Sequence, residues 1–276
     1  MNRRFAQRFG PWALVTGASE GIGREMARGL ARRGLNVILV ARREEVLVSL
    51  AAELAVRTDV VAADLSTPEG VTKVLAAAED KEVGLAAFAA GFGTSGDFTG
   101  IAAEEELQMV DLNCRSVVAL LHGLVPAMAA RGRGGVVLFS SLVAFQGVPR
   151  ASTYAATKAF NQVLAEGLRL ELGASGVEVL ATAPGPVESG FGTRADMRMS
   201  GALSSEVVAE GTIRALGRRG TVRPGFSSRG LEWALRWLPR SGRSRMVGRV
   251  MAQMTRHQDI LAAPTENRSF SADEIS

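Results

Sequence analysis

Tyr154 is the only tyrosine in the chain, and Lys158, one of three lysines, follows four residues later. On a helix, positions i and i+4 share a face, so a phenol and an ammonium would stand side by side. Ser141 closes an apolar, strand-like run thirteen residues before Tyr154, where it could return to the same pocket. This set suits carbonyl chemistry, in which a hydride goes to carbon and a proton to oxygen. A free phenol, with a reference pKa of about 10, releases its proton reluctantly near neutrality, and a neighbouring ammonium lowers that value. Ser141 could hold the substrate oxygen at Tyr154 by a hydrogen bond. Taken alone, Tyr-x3-Lys reads more readily as an exposed helix pair, and Ser140-Ser141 as a plain strand end. A second motif favours the chemical reading.

That motif is Thr16-Gly17-Ala18-Ser19-Glu20-Gly21-Ile22-Gly23, set between an apolar run and a helical pattern. Gly17, Gly21 and Gly23 let the backbone turn sharply against an oxyanion, while the helix start offers unpaired N–H groups and a positive dipole end. The spacing is Gly-x3-Gly-x-Gly rather than Gly-x-Gly-x2-Gly, and the plain alternative is a tight turn without a ligand. The next apolar run ends at Val40-Ala41-Arg42-Arg43, where an NAD site usually places an acid for the ribose 2′-hydroxyl. Arg42, with Ser19 nearby, could instead receive a 2′-phosphate, which points to NADP(H). Glu20 brings no positive charge, and the plain alternative is that Arg42 and Arg43 are solvated helix-start residues. Asp64-Leu65 follows the third run. Asp64 could accept the adenine amino group or cap the following helix, and both can hold.

Positioning these residues requires a sheet. Continuous apolar runs at 12–16, 36–41, 60–63, 85–90, 136–139 and 177–183 read as strands buried on both faces. Helical patterns at 22–33, 44–57, 68–78, 103–130 and 152–172 alternate with them. This alternation predicts an α/β fold, a single Rossmann-type doubly wound parallel sheet with helices on both faces. Residues 188–205, rich in Gly, Ser and Met, read as a mobile connection. Residues 207–216 read as a helix, 222–224 as a short edge strand and 231–238 as a further helix. We divide the chain into a catalytic region, 1–225, and a basic C-terminal helical extension of the same domain, 226–276, whose end is polar. With 47% hydrophobic and 22% charged residues, the composition is that of an ordinary globular protein. The single cysteine, Cys114, excludes an internal disulfide.

In this order, Gly17-x3-Gly21-x-Gly23, Asn113, Ser141, Tyr154-x3-Lys158 and Pro184-Gly185 resemble the short-chain dehydrogenase/reductase family across about residues 10 to 190. The resemblance implies that Ser141, Tyr154 and Lys158 are catalytic. It implies that Asn113 holds a water linking Lys158 to solvent, and that Lys158 also binds the nicotinamide ribose. Pro184, Gly185 and Val187 would lie against the nicotinamide, and Ser189 would contact the diphosphate. The fourth strand departs from the family pattern: Asn-Asn-Ala-Gly is replaced by Phe88-Ala89-Ala90-Gly91, which loses polar side chains but keeps a backbone that can pass the adenosine ribose. The opening Phe9-Gly10-x-Trp12-Ala13 and the Arg-rich tail resemble, more weakly, the branch with 3-oxoacyl-CoA reductases and hydroxysteroid dehydrogenases. That branch implies a bulky, lipophilic carbonyl or alcohol substrate, and the family implies a homodimer or homotetramer. The alternative is an NADP(H)-binding sensor or scaffold without turnover, which would have no need of a placed phenol.

Charge is unevenly spread. Residues 218–256 hold ten arginines and one acid, Glu232, a net +9, whereas the whole chain carries +4. A basic tail on an acidic body suggests an anionic partner. An apolar face at Leu231, Ala234, Leu235 and Leu238, with Trp233 and Trp237 beside it, has Arg229, Arg236, Arg240, Arg243, Arg245 and Arg249 around it. It reads as a lid over an acyl or steroid chain, with arginines receiving a CoA phosphate, as an interfacial helix on anionic lipid, or as plain packing. Phe191, Met197, Met199 and Leu203 could line an apolar pocket. No recognised nucleic-acid module accompanies the charge, and no His/Cys cluster has metal-ligand spacing. Without a leader-like apolar core, and with its longest uncharged apolar stretch at 116–130, the chain reads as a soluble cytoplasmic protein with a possible peripheral membrane contact.

Overall fold

In the computed structural model, residues 3–198, 201–225 and 239–258 are described. Six strands form the body of a parallel sheet: β1 (Trp12–Thr16), β2 (Asn36–Ala41), β3 (Thr58–Ala62), β4 (Val83–Phe88), β5 (Gly134–Phe139) and β6 (Val177–Thr182). A two-residue strand, Thr221–Val222, adds to the edge by pairing with Ala181 and Thr182, so the sheet order is β3-β2-β1-β4-β5-β6 followed by this edge strand. All five residues of β1 and all six of β4 and β5 are buried, as their unbroken apolar runs require.

Helices cover both faces. On one, α1 (Arg3–Phe9), α2 (Gly21–Ala31), α3 (Glu44–Glu53) and a later helix at Ser205–Ala215 pack Phe9, Met26, Leu30, Leu47 and Ile213 onto Val15, Val37 and Leu39. On the other, α4 (Pro68–Ala78), α5 (Ala103–Val110), α6 (Ser116–Ala130) and α7 (Ser152–Gly173) cover the sheet, with Val74, Leu120, Leu124 and Ala165 meeting Leu14, Ile38 and Val136. The sheet order reverses between β1 and β4, which opens a crevice at the carboxyl ends of these strands.

Several expected boundaries shift. The helix expected over 103–130 runs the full length but is interrupted by a π-helical turn, Asp111–Arg115, that carries Asn113. It is therefore long enough to span a bilayer by length and composition, although much of it is buried against the protein. The strand expected to reach residue 90 ends at Phe88, because the Ala90 N–H leaves the ladder and donates to Thr16 Oγ1 at 3.0 Å. The connection at 188–205 contains structure: β7 (Val187–Glu188), α8 (Phe191–Arg194) and β8 (Leu203–Ser204), with β7 and β8 paired. α9 (Ser205–Ala215) follows, capped by Ser204, and the edge strand is β9 (Thr221–Val222). α1 and α10 (Arg240–Met254) were not anticipated individually. Met199, Arg229, the helix expected over 231–238 with Arg236 and both its tryptophans, and the polar end lie outside the described residues.

Candidate active site

The carboxyl ends of β1, β2, β4, β5 and β6 open into one cavity of about 930 Å³. Gly17, Ser19, Gly21, Ile22, Gly23, Arg42, Asp64, Leu65, Ala90, Gly91, Ser141, Tyr154, Lys158, Pro184, Gly185, Val187 and Ser189 all line it, so residues far apart in sequence meet there. Asn113 stands just behind the wall.

The glycine turn forms a cradle. Gly17 has φ +68°, and a Cβ on it would lie 2.8 Å from the Ala90 nitrogen. A Cβ on Gly23 would lie 2.1 Å from the Gly17 carbonyl oxygen, so the start of α2 can pack on the turn only without a side chain. α2 then aims its free N–H groups into the cavity. This geometry fits a dinucleotide diphosphate.

Beyond the turn, the charged residues are arranged differently from expectation. Arg43, rather than Arg42, reaches Ser19: its Nη2 donates to Ser19 Oγ at 3.4 Å and to the Glu20 carboxylate at 2.7 Å. The charge of Arg42 helps lower the pKa of both Asp64 and Arg194. Asp64 Oδ1 accepts from the Ser66 N–H and hydroxyl at 2.9 and 2.7 Å. Burial opposes the Asp64 charge, but the Ser66 bonds and Arg42 outweigh it and hold the carboxyl below its usual range. The cap of α4 is Thr67, which accepts from the Gly70 N–H at 3.1 Å, so Asp64 organises the turn before the helix rather than capping it.

Arg194, on α8, is a lining residue that the sequence pattern did not single out. Its guanidinium lies 4.5 Å from the centroid of the Phe92 ring. Burial lowers its pKa first, and the charge of Arg42 lowers it further. A cofactor phosphate near these two cations would relieve their repulsion.

Tyr154, Ser141 and Lys158 meet on the floor. Ser141 Oγ accepts from the Val143 N–H at 3.4 Å and stands close enough to the Tyr154 phenol to favour its charged form. Lys158 Nζ sits 5.6 Å from the Tyr154 ring centroid and donates to the Phe139 carbonyl oxygen at 3.1 Å. Burial pushes the Tyr154 phenol well above its ordinary pKa, partly offset by Ser141. The expected lowering by the neighbouring ammonium is thus not what governs this phenol in the structure. Burial also brings the Lys158 ammonium down to about 8.

Asn113 is held by protein groups on two sides. Its Nδ2 donates to the Phe92 carbonyl at 2.9 Å and to Thr157 Oγ1 at 3.0 Å, and its Oδ1 accepts from the Phe92 N–H at 3.2 Å. Its own carbonyl accepts from Asn161 Nδ2 at 3.0 Å. Asn113 therefore braces the chain after β4 against α7. With the Thr16–Ala90 bond, this brace anchors the segment in which Phe88-Ala89 departs from the expected polar pair.

The remaining wall is apolar. Phe92, Leu112, Val143, Phe145, Phe191 and Met197 line it together with α10. Met251 of α10 is buried in one cluster with Tyr154, Phe92 and Met197. The lid surface was expected at 231–238; among the described residues it is α10 that covers the site. The signal for this was available in the Met/Val spacing at 246, 247, 250, 251 and 254.

Comparison with known proteins agrees with this geometry. Residues 11–199 match the family described as short chain dehydrogenase. A 7beta-hydroxysteroid dehydrogenase of Clostridium sardiniense is 32% identical over 185 residues, which cover 66% of this chain and 71% of that protein. A solved structure concerned with 7beta-hydroxysteroid dehydrogenase stereoselectivity superposes with TM-score 0.82 at 27% identity, covering 90% of this chain and all of the other. A short-chain dehydrogenase from Sphingobium yanoikuyae in complex with NADPH gives TM-score 0.75 at 28% identity over 96% of this chain.

Proposed function

The chain belongs to the short-chain dehydrogenase family, an NAD(P)-dependent oxidoreductase acting on CH–OH and C=O groups, and we propose that it is an NADP(H)-dependent ketone reductase for a bulky, lipophilic, steroid-like substrate. The observation that carries this reading is the meeting of Tyr154, Ser141 and Lys158 beneath an apolar wall of α10, in the same cavity as the glycine turn. Bound nicotinamide would supply or accept the hydride. Ser141 Oγ holds the substrate oxygen, and Tyr154 Oη donates its proton to that oxygen as the bond order falls. A phenol kept protonated by burial suits this direction. Lys158 places a positive charge beneath the ring, where it supports the phenolate left behind. The Gly17–Gly23 turn and Ser189 would hold the diphosphate, Pro184, Gly185 and Val187 would lie against the nicotinamide, and Asn113 keeps the Phe92 segment and α7 in register.

The preference for NADP(H) rests on the end of β2, where Arg42 and Arg43 face the cavity without the acid of an NAD site. NADPH oxidation with polycyclic ketones, small ketones and 3-oxoacyl thioesters tests the assignment. Turnover of polycyclic ketones is expected, and a bound but unconsumed cofactor with all of them would instead support an idle NADP(H)-binding scaffold.

The active unit is a homodimer or homotetramer joined through α5 and α7. Leu107 and Val110 on α5, and Phe160, Val163 and Leu170 on α7, are exposed apolar residues, Leu170 at 84%. Their placement on neighbouring helices suits a twofold contact. Light scattering should give at least twice the 29.1 kDa chain mass.

A further inference from the structure

We propose that Asn161 is a positioning residue for proton transfer: its side-chain amide clamps the π-helical turn that carries Asn113 and so keeps Lys158 in place beneath Tyr154. This rests on the ketone-reductase reading and adds to it a residue that does not itself line the cavity. The π-turn shows why a clamp is needed. The Ser116 N–H reaches back five residues to the Asp111 carbonyl, which interrupts the regular ladder of the helix. Buried carbonyls in such a turn call for other donors. The Asn113 carbonyl accepts from Asn161 Nδ2 at 3.0 Å, across from α7. Asn161 is 4% exposed, and its Oδ1 is buried without a protein partner among the described residues. An apolar side chain would avoid the cost of that unpaired oxygen. Packing alone therefore does not account for an amide at this position, whereas the bond to Asn113 does.

A second clamp stands one turn earlier on α7. Thr157 Oγ1 accepts from Asn113 Nδ2 at 3.0 Å and donates to the Tyr154 carbonyl oxygen at 2.8 Å. Lys158 lies between these two residues on the helix. From the end of β5 it is fixed twice: Ser140 Oγ donates to the Lys158 carbonyl at 3.1 Å, and Lys158 Nζ donates to the Phe139 carbonyl at 3.1 Å. On the other side the π-turn reaches the ammonium through Gly91. A Cβ on Gly91 would lie 2.9 Å from Asn113 Oδ1 and 3.4 Å from Lys158 Nζ, so both groups rest against the same glycine. If the π-turn moved away from α7, this packing would open and water would reach the ammonium. Asn161 thus acts on the chemistry through Asn113, Gly91 and Lys158.

The test compares Asn161→Leu, Thr157→Val and Gln162→Leu in the full chain. Gln162 is the control, since it is equally buried on α7 but bonds Glu166 and Thr221. Two readouts are taken: kcat and KM with NADPH and a polycyclic ketone, and the titration of Lys158 followed by the ¹³Cε resonances of the chain's three lysines. In Asn161→Leu, kcat should fall on the order of tenfold to a hundredfold, the cost of a small misplacement, with KM for the ketone little changed. The Lys158 midpoint should rise from about 8 toward its ordinary 10.5 as water enters. Asn161→Ser, which keeps a donor, should recover part of both. Thr157→Val should move both in the same direction, and the double variant should do less than the sum, because the two clamps hold one turn. Gln162→Leu should lower Tm and leave kcat and the midpoint in place. An unchanged kcat and midpoint in Asn161→Leu, or the same changes in Gln162→Leu, would overturn the proposal. If Asn161→Leu does not fold, an unchanged midpoint in Thr157→Val overturns it. A wild type that turns over no ketone strikes the reductase reading alone, since the Lys158 midpoint still judges Asn161.

Discussion

Lys158 Nζ lies 5.6 Å from the centroid of the Tyr154 ring, yet its hydrogen bond goes to the Phe139 carbonyl oxygen. The ammonium is thus tethered to the end of β5, while burial raises the Tyr154 phenol and Ser141 offsets part of that rise. Lys158 stands on α7 and Ser141 just after β5, so the two side chains can be replaced independently.

Tyr154→Phe removes the hydroxyl and keeps the ring that packs against Phe191, whose centroid is 5.2 Å away. Turnover should fall by about 10²–10⁴, the usual contribution of a placed acid. Affinity for NADPH, read by fluorescence titration, should stay near that of the wild type. Near-normal rates would remove Tyr154 from the chemistry.

Lys158 should link pH to stability. Burial lowers it from its ordinary 10.5 to about 8, so between these values the unfolded chain holds a proton that the folded chain has released. Stability from this group is then lowest below about pH 8 and rises as pH climbs to about 10.5. Lys158→Met should show its greatest Tm advantage over the wild type near pH 6, and the gap should narrow toward pH 10. The reductive rate of the wild type should fall as pH rises through about 8, where the charge beneath Tyr154 is lost. A Tm difference that does not change with pH would contradict the buried, titrating ammonium.

The strands and the floor of the site were legible because their signals are local. Unbroken apolar runs mark strands buried on both faces, and Tyr154 and Lys158 need only one helix to share a face. What was missed depends on distant parts of the chain. Nothing near Arg194 in sequence shows that α8 carries it to Phe92 and Arg42. Arg42 and Arg43 are adjacent, and only the exit direction of β2 decides which of them meets Ser19. The end of β4 was placed two residues late because Ala89 and Ala90 are as apolar as a strand, and the Thr16 hydroxyl that draws Ala90 out of the ladder lies 74 residues away. The cavity face of α10 was overlooked because its arginines draw attention to the charge rather than to the Met/Val stripe between them.

At the cofactor end, Arg42→Ala should weaken NADPH binding by roughly tenfold or more, the loss of one charge-assisted contact, while NADH binding changes little. Arg43→Ala should have a smaller effect on this preference, because Arg43 is already bonded to Glu20. Titrating both dinucleotides against both variants checks the ordering. Equal losses of NADPH and NADH affinity in Arg42→Ala would show that this guanidinium does not meet the 2′-phosphate.

Removal of the chain after Gly225 separates the roles open to the basic extension. The sheet, the glycine turn, Ser141, Tyr154 and Lys158 all precede the cut, so cofactor binding should persist in the truncated protein. The cut takes away α10 and with it Met251, which is 5% exposed and packed in the Tyr154 cluster. It also removes Gln258, whose Nε2 donates to Ser95 Oγ at 3.0 Å, and His257, paired with Asp196 at 2.8 Å. These contacts fasten the residues that follow α10 to two loops beside the cavity. If α10 acts as a lid, kcat/KM for polycyclic ketones should drop by an order of magnitude or more, while a small ketone that needs no wall is little affected. If the extension is instead a foot on anionic membranes, the truncated protein should lose liposome binding and keep its rates on soluble ketones. If it only packs, both substrate classes should suffer together as Tm falls. The apolar stripe of α10 faces the cavity rather than outward, so selective loss on bulky substrates is the expected result, and unchanged rates on every ketone would overturn it.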